Sequence, residues 1–208
     1  ITKTFTGGYS PGMELLLEGS LNDTSGNDNH AVPIGSLSPS IAIGIDGKNV
    51  LRWDGSGTQE LEIPYFLENT TGATLYCVFT AKNEDNYNLI RTKNLDDYWR
   101  FANGTGYIGT FSGSRKAGYP ASMPSDGNNL ISIHADSNSY EVLLNNQSQG
   151  LRANSYNSGD RFRITTNDKQ FKGDIALILV FPFFINPSNQ IHQGNVASIK
   201  NNFPSLSV

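Results

Sequence analysis

A chain of 208 residues with 15 Lys and Arg against 19 Asp and Glu carries a formal net charge of −4, without the basic stripe that a nucleic-acid or anionic-membrane partner requires. Its 21 Gly, 9 Pro and 16% charged residues describe a loop-rich β protein long enough to bury a sizeable core, and exclude a disordered chain. The lone Cys77, set in Leu75-Tyr76-Cys77-Val78-Phe79, forms no internal disulfide and reads as a small buried residue.

The first strand candidates are Thr2 to Phe5 and Met13 to Leu17, separated by the turn-rich Gly7 to Gly12. The chain begins at Ile1 with no basic n-region or apolar signal core, so a leader already removed, or a piece of something longer, is expected. Gly19 to Pro33 is a polar run too long for a tight turn, and its length makes it a functional-loop candidate. Short strands follow at Ile41 to Ile45, Asn49 to Trp53 and Glu60 to Ile63, divided by Asp46-Gly47 and Asp54-Gly55-Ser56-Gly57. Asp-Gly is a strong turn signal.

Ala73 to Lys82 alternates with Leu75, Cys77, Phe79 and Ala81 on one side and Tyr76, Val78 and Thr80 on the other, which predicts a central strand. Tyr87 to Thr92, Tyr98 to Asn103 and Tyr107 to Phe111 have meander spacing, and Arg115 to Asn128, with two prolines, reads as a long loop. Leu130 to Ala135, Tyr140 to Leu144, Gly150 to Ala153 and Arg161 to Thr166 continue the β pattern.

Phe171 to Phe181 is the most apolar run. Strict alternation would put Ile175, Leu177, Leu179 and Phe181 on one face and Ala176, Ile178 and Val180 on the other, so a strand here needs cover on both faces. From Ile175 to Phe184 the apolar stretch, broken by Pro182, falls well short of the roughly 18 residues a membrane span needs, so no membrane insertion is expected. Asn186-Pro187-Ser188 reads as a helix start, with Ile191, Val196 and Ile199 sharing a face over about 187–201. The whole predicts an all-β, two-sheet antiparallel sandwich with wet outer faces and a short C-terminal helix, as a single domain over 1–208.

Three motifs in order carry a family resemblance: Asp23-Thr24-Ser25-Gly26-Asn27-Asp28-Asn29-His30, then Asp46 to Gly57 with Trp53-Asp54-Gly55-Ser56-Gly57, then Phe171-Lys172-Gly173-Asp174-Ile175 before a terminal helix. The chain resembles the laminin-G-like, concanavalin A-type jelly-roll superfamily over nearly its whole length. The resemblance implies a jelly roll, a loop at the first motif, a turn between early strands at the second, and the start of the last long strand at the third. It also implies a habit of binding glycans or proteins, often with calcium, on bacterial surfaces or in phage virions as tail-fibre or capsid-decoration modules. Fold alone names no ligand.

Sugar recognition needs flat aromatic faces with planar polar groups, and Tyr98, Trp99, Arg100, Arg115, Tyr119 and Tyr156 supply them. The bland alternative places Trp99 in the core and the tyrosines over sheet edges. Trp53, ending a strand at a turn, is the clearest core residue, and His30 reads as loop packing. For calcium, Asn22 to Asn29 offers Asp23, Asn27 and Asp28, with Asp160 and Asp174 available if the fold brings them near. Catalysis has weaker material. Glu60 and Glu62 share a strand face but lack the third acid of laminarinase-type relatives, and Gln190-Ile191-His192 matches an alginate-lyase triplet without its companion strands. His30 and His134 have no partners at triad spacing, and no paired-His or Cys motif suggests zinc. Four Asn-x-Ser/Thr sequons, at Asn22, Asn69, Asn103 and Asn146, are no more than this composition supplies by chance.

The expectation is a non-catalytic lectin-like module that binds glycans or attaches to a cell surface, extracellular or on a virion, with a homo-oligomer allowed. A virion structural protein using the jelly roll for protein contacts is the rival, and a glycoside hydrolase or polysaccharide lyase the third reading.

Overall fold

The computed structural model describes residues 8–56, 58–63, 72–81, 87–92, 98–101, 106–108, 111–112, 114–115, 119–121, 127–136, 139–153, 162–164 and 171–208. Over 87–121 it describes the backbone and, of the side chains, Leu89. Two antiparallel sheets form a jelly-roll type sandwich with one helix. The large sheet contains β1 (Leu15–Leu17), β3 (Ser40–Ile43), β4 (Asn49–Asp54), β6 (Gly72–Ala81), β13 (Asn129–Asp136), β14 (Ser139–Leu144), β15 (Gln147–Ala153) and β17 (Lys172–Phe181). Its order is β15-β14-β13-β6-β17-β4-β3, with β1 pairing to β17 beyond the end of β4. The smaller sheet runs β2 (Val32–Pro33), β5 (Leu61–Ile63), β16 (Phe162–Ile164), β7 (Tyr87–Thr92) and β8 (Tyr98–Phe101). Two short pairs lie outside both sheets: β9 (Gly106–Ile108) with β12 (Tyr119–Ala121), and β10 (Phe111–Ser112) with β11 (Ser114–Arg115). The stretch read from sequence as the loop Arg115 to Asn128 therefore contains strand β12. The expected strand Thr2 to Phe5 lies outside the described residues.

Between the sheets sits one apolar cluster that includes Leu51, Trp53, Leu61, Ile63, Leu75, Cys77, Phe79, Ile131, Ile133 and Ile164. Trp53 is buried as expected, with Phe171 edge-on at 5.8 Å and its indole N–H donating to the Gln59 carbonyl at 3.0 Å. Burial pushes the Cys77 thiol far up, so it stays protonated and unreactive.

A second cluster occupies the outer face of the large sheet. Tyr76 and Val78 of β6, Leu130 of β13 and Leu177, Leu179 and Phe181 of β17 pack there against Val196, Ile199, Phe203 and Leu206. The last four come from helix α1 (Gln190–Asn202) and the tail after it. This face is dry, which corrects the expectation of two wet outer faces. The 37% hydrophobic content is concentrated enough in β6 and β17 to build a third layer.

β17 shows how strict alternation fails. Its register with β6 passes from Ile175↔Phe79 to Leu177↔Val78, so Ala176 and Leu177 share one position as a bulge. Ile175, Ile178 and Val180 consequently face the inter-sheet core, while Ala176, Leu177, Leu179 and Phe181 face the helix. The predicted sets are exchanged beyond the bulge because one extra residue inverts the two-residue period. In β6, with no bulge, Leu75, Cys77 and Phe79 face the inter-sheet core and Tyr76 and Val78 the helix, as predicted.

Helix α1 begins three residues later than its sequence signal suggests. Asn189 is the N-cap, its side chain accepting from the Ile191 amide at 2.8 Å. Asn186 accepts from the Ser188 amide at 2.9 Å instead, closing a turn around Pro187.

Candidate functional site

The loop from Glu18 to Ala31 is organised from within. Gly19 turns at φ +64, and a Cβ there would lie 2.0 Å from the Asn49 carbonyl oxygen, so only glycine fits the exit from β1. Asp23 is buried inside the loop and accepts from the Leu16, Ser25 and Asn29 amides, each at 2.9 Å, and from the Ser25 hydroxyl at 2.8 Å. Burial by itself would raise this carboxyl, but those four donors outweigh it and hold it below the usual range. Asn27 and Asn29 donate to the carbonyls of Met13 and Glu14, and His30 Nδ1 accepts from the Asp23 amide at 2.9 Å. Asp28 is exposed, in the left-handed region at φ 58.

Asp174 sits far along the chain, at the start of β17. It meets Arg52 of β4 in a bidentate pair at 2.7 and 2.8 Å, as the register Asp174↔Arg52 requires. Asp23 thus accepts two hydrogen bonds on each oxygen, which uses all its lone-pair sites, and Asp174 is neutralised by the Arg52 guanidinium. This donor set suits loop closure and strand pairing, and it does not fit a cation shared by Asp23, Asn27, Asp28 and Asp174. Among the described residues no three His, Cys, Asp or Glu side chains gather closely enough to hold a metal. Asp160 lies outside them.

On the small sheet the register lays out two rows. Val32, Glu62, Arg163, Arg91 and Tyr98 are successive partners in one, and Pro33, Leu61, Ile164, Ile90 and Trp99 in the next. Leu61 and Ile164 are fully buried, so the second row faces the inter-sheet core at its centre. In the first, Arg163 donates to Glu60 at 3.2 Å and to Glu62 at 3.4 Å, and both carboxylates are nearly buried. The Arg163 Nε is buried without an acceptor. Sequence alone places Glu60 and Glu62 on one strand face. It does not reveal Arg163, which arrives from β16, about a hundred residues later, to neutralise them.

The triplet Gln190-Ile191-His192 lies on α1, with His192 turned into the second cluster and fully buried. His134, also fully buried, is beside it in β13, the ring centroids 4.9 Å apart. Neither imidazole reaches solvent as a general base would need to.

Of the residues selected for sugar recognition, Tyr98, Trp99, Arg100 and Tyr119 lie on strands along one side of the sandwich. Tyr98, Trp99 and Arg100 are on β8, the terminal strand of the small sheet, with Arg100 opposite Asn88. Strand β9 lies beside β8, and β12, carrying Tyr119 opposite Ile108, lies beside β15, the terminal strand of the large sheet. The β9–β12 pair therefore bridges the two sheets along this side, with Arg115 on β11 between them in the chain. Tyr156 lies outside the described residues. The opposite side, by contrast, exposes aliphatic side chains: Val32, Ile34, Leu37, Ile41 and Ile43.

No family model matches the chain, and no curated protein matches it in sequence. Solved structures do match. Domain 4 of AbnA, a GH43 extracellular arabinanase from Geobacillus stearothermophilus, solved in complex with arabinotriose, is similar over 88% of this chain and 98% of that one, with a TM-score of 0.72 and 14% identity. The binding domain of Paraclostridial Mosquitocidal Protein 1 is similar over 90% of this chain and 52% of its own, at a TM-score of 0.65 and 12% identity. The binding domain of botulinum neurotoxin DC in complex with SialylT gives 91% and 52%, a TM-score of 0.63 and 11% identity. This chain thus spans about half the length of the toxin domains and nearly all of the arabinanase domain. At such identities the likeness establishes the fold.

Proposed function

We propose that this chain is a non-catalytic carbohydrate-binding module acting outside the cell, with its ligand surface on the side bridged by β9 and β12. The observation that carries the reading is the gathering of Tyr98, Arg100 and Tyr119 on strands along one side, where two sheet ends and a short strand pair adjoin. Aromatic and guanidinium groups on rigid strands supply stacking faces and planar donors for sugar hydroxyls. The arabinotriose complex of a full-length structural neighbour supports a sugar as ligand.

Chemistry elsewhere supports binding over turnover. Glycoside cleavage needs one carboxyl held protonated and one free carboxylate, but Glu60 and Glu62 share the cation of Arg163. The large sheet offers no open outer face at its centre, because α1 and the tail cover it.

A glycan array followed by calorimetry with arabino-oligosaccharides and sialylated oligosaccharides tests the proposal. Binding by the wild-type chain, weakened about tenfold by Tyr98→Ala or Tyr119→Ala without a change in melting temperature, is expected. Silence of the wild-type chain across the array overturns it, and so does turnover of any polysaccharide that Glu62→Gln abolishes.

A further inference from the structure

Two histidines with no part in the proposed sugar site are buried between α1 and the large sheet, among the apolar side chains of the outer layer. His134 Nδ1 lies 2.6 Å from the Ile185 carbonyl oxygen, so that nitrogen carries the proton, and Nε2 accepts from the Ser132 hydroxyl at 3.1 Å. His192 Nε2 lies 2.9 Å from Asn146 Oδ1 and therefore donates, leaving Nδ1 to accept from the Tyr76 hydroxyl at 3.0 Å. As neutral imidazoles, both rings have one nitrogen donating to a carbonyl oxygen and one accepting from a hydroxyl. Tyr76 stacks on His192 at 5.7 Å and meets His134 edge-on at 5.8 Å, so the three rings form one cluster.

We propose that this cluster is an acid-sensitive latch: protonation of His134 and His192 releases α1 from the large sheet and uncovers the apolar face of β6 and β17 while the sandwich stays folded.

The geometry supplies the reasons. A proton added to His134 Nε2 or His192 Nδ1 forces the Ser132 or Tyr76 hydroxyl to turn its hydrogen away and accept, and it places a positive charge in a buried layer. Two imidazolium rings with centroids 4.9 Å apart and both shut off from solvent would also repel strongly. The nearest acid is Glu141 of β14, whose charge favours protonated His192, but it lies on the half-buried rim and also accepts from the Ser148 hydroxyl. The other ionisable groups around the layer are the phenols of Tyr76 and Tyr9, Glu18 beside Tyr9, the buried Lys48 beside Glu18, Lys200 in the last turn of α1, Asp46, which accepts from Ser205 of the tail, and the Asp174–Arg52 pair. None supplies a second counter-charge within the ring cluster.

The latch is local because the inter-sheet cluster contains no histidine, and α1 contributes no strand pairing to either sheet.

Burial, then the neighbouring His192, hold His134 down to about 3, and burial lowers His192 too. Both groups are bases depressed by folding, so closure is fully favoured above the free-imidazole value near 6.5 and weakens as pH falls below it. At pH 4.5, His134 alone favours the released state by on the order of 100-fold.

Hydrogen exchange of the full chain at pH 7 and pH 4.5, corrected for intrinsic rates, tests this. Opening of 190–203 should rise by about 100-fold or more while β6 and β13 keep their protection, and dye binding to apolar surface should appear in parallel. His134→Gln and His192→Gln should each flatten the pH response. An unchanged opening of α1, or strands that open in step with it, overturns the proposal. So does a folded variant with the full acid response. If neither variant folds, exchange of the wild-type chain decides alone.

Discussion

The outer faces of the two sheets have opposite fates. That of the large sheet is closed by α1 and the tail, with Tyr76, Val78, Leu177, Leu179 and Phe181 against Val196, Ile199 and Phe203. That of the small sheet carries the charged row Glu60, Arg163 and Glu62. The difference is already in the strands: β6 and β17 are apolar at both alternating sets, whereas Leu61-Glu62-Ile63 and Phe162-Arg163-Ile164 alternate apolar with charged. A strand with two apolar faces demands a third layer, and a strand with one does not. The sandwich is thus three layers thick at its centre and keeps its polar chemistry on the thinner sheet.

Deleting the third layer should cost most. Phe203 is fully buried at the end of α1, and Phe203→Ala is expected to lower stability by about 3–5 kcal/mol in denaturant titration. A loss under 1 kcal/mol would mean that the helix merely rests on the sheet. Trp99→Ala should cost about 3 kcal/mol if the core row continues to β8, and Tyr98→Ala close to nothing. Equal melting temperatures for the two would erase the distinction between rows.

Arg163→Ala leaves Glu60 and Glu62 facing each other without their shared cation, for a loss of about 2 kcal/mol; the fifth of Arg163 still exposed keeps this below a fully buried pair. The loss should shrink in Arg163→Ala combined with Glu60→Gln and Glu62→Gln, and a triple variant no better than the single would refute charge as the cause. In binding, Tyr98→Ala should raise Kd about tenfold, which is about 1.4 kcal/mol. The smallest effect is expected from calcium. Because the oxygens of Asp23 and Asp174 already accept from protein donors, millimolar calcium or a chelator should shift neither melting temperature nor glycan affinity. A rise in either with calcium would restore the metal that the family resemblance implies.

Much of the fold is legible in local pattern. The three motifs fall where the resemblance puts them: a loop at Ser25 to His30, a turn between β4 and β5, and the opening of β17. The central position of β6 and β17 follows from their length and double apolar faces. The bulge at Ala176 is not legible, since it adds a residue without changing composition. Nor is the true helix cap, because Asn186 and Asn189 both carry the chemistry of an N-cap and only packing selects one.

The candidate site was legible as residue types and not as a place. Tyr98 and Tyr119 stand out in sequence as aromatics amid polar turns, but their common side of the sandwich depends on β9 pairing with β12 across an intervening hairpin. Similarly, Asp23 reads as a calcium ligand until three backbone amides from 16, 25 and 29 converge on it.

The sequence by itself determined which strands need cover on both faces, where the chain turns, and that its one cysteine forms no internal disulfide. Those are properties of nearest neighbours along the chain, set by a two-residue period and by Gly, Pro and Asn backbone preferences. The tertiary structure decided which carboxylates are neutralised and which histidines are dry. Arg163 finds Glu62, Arg52 finds Asp174 and His192 finds Tyr76 over separations of about a hundred residues, and burial and charge are fixed by partners that local pattern does not name.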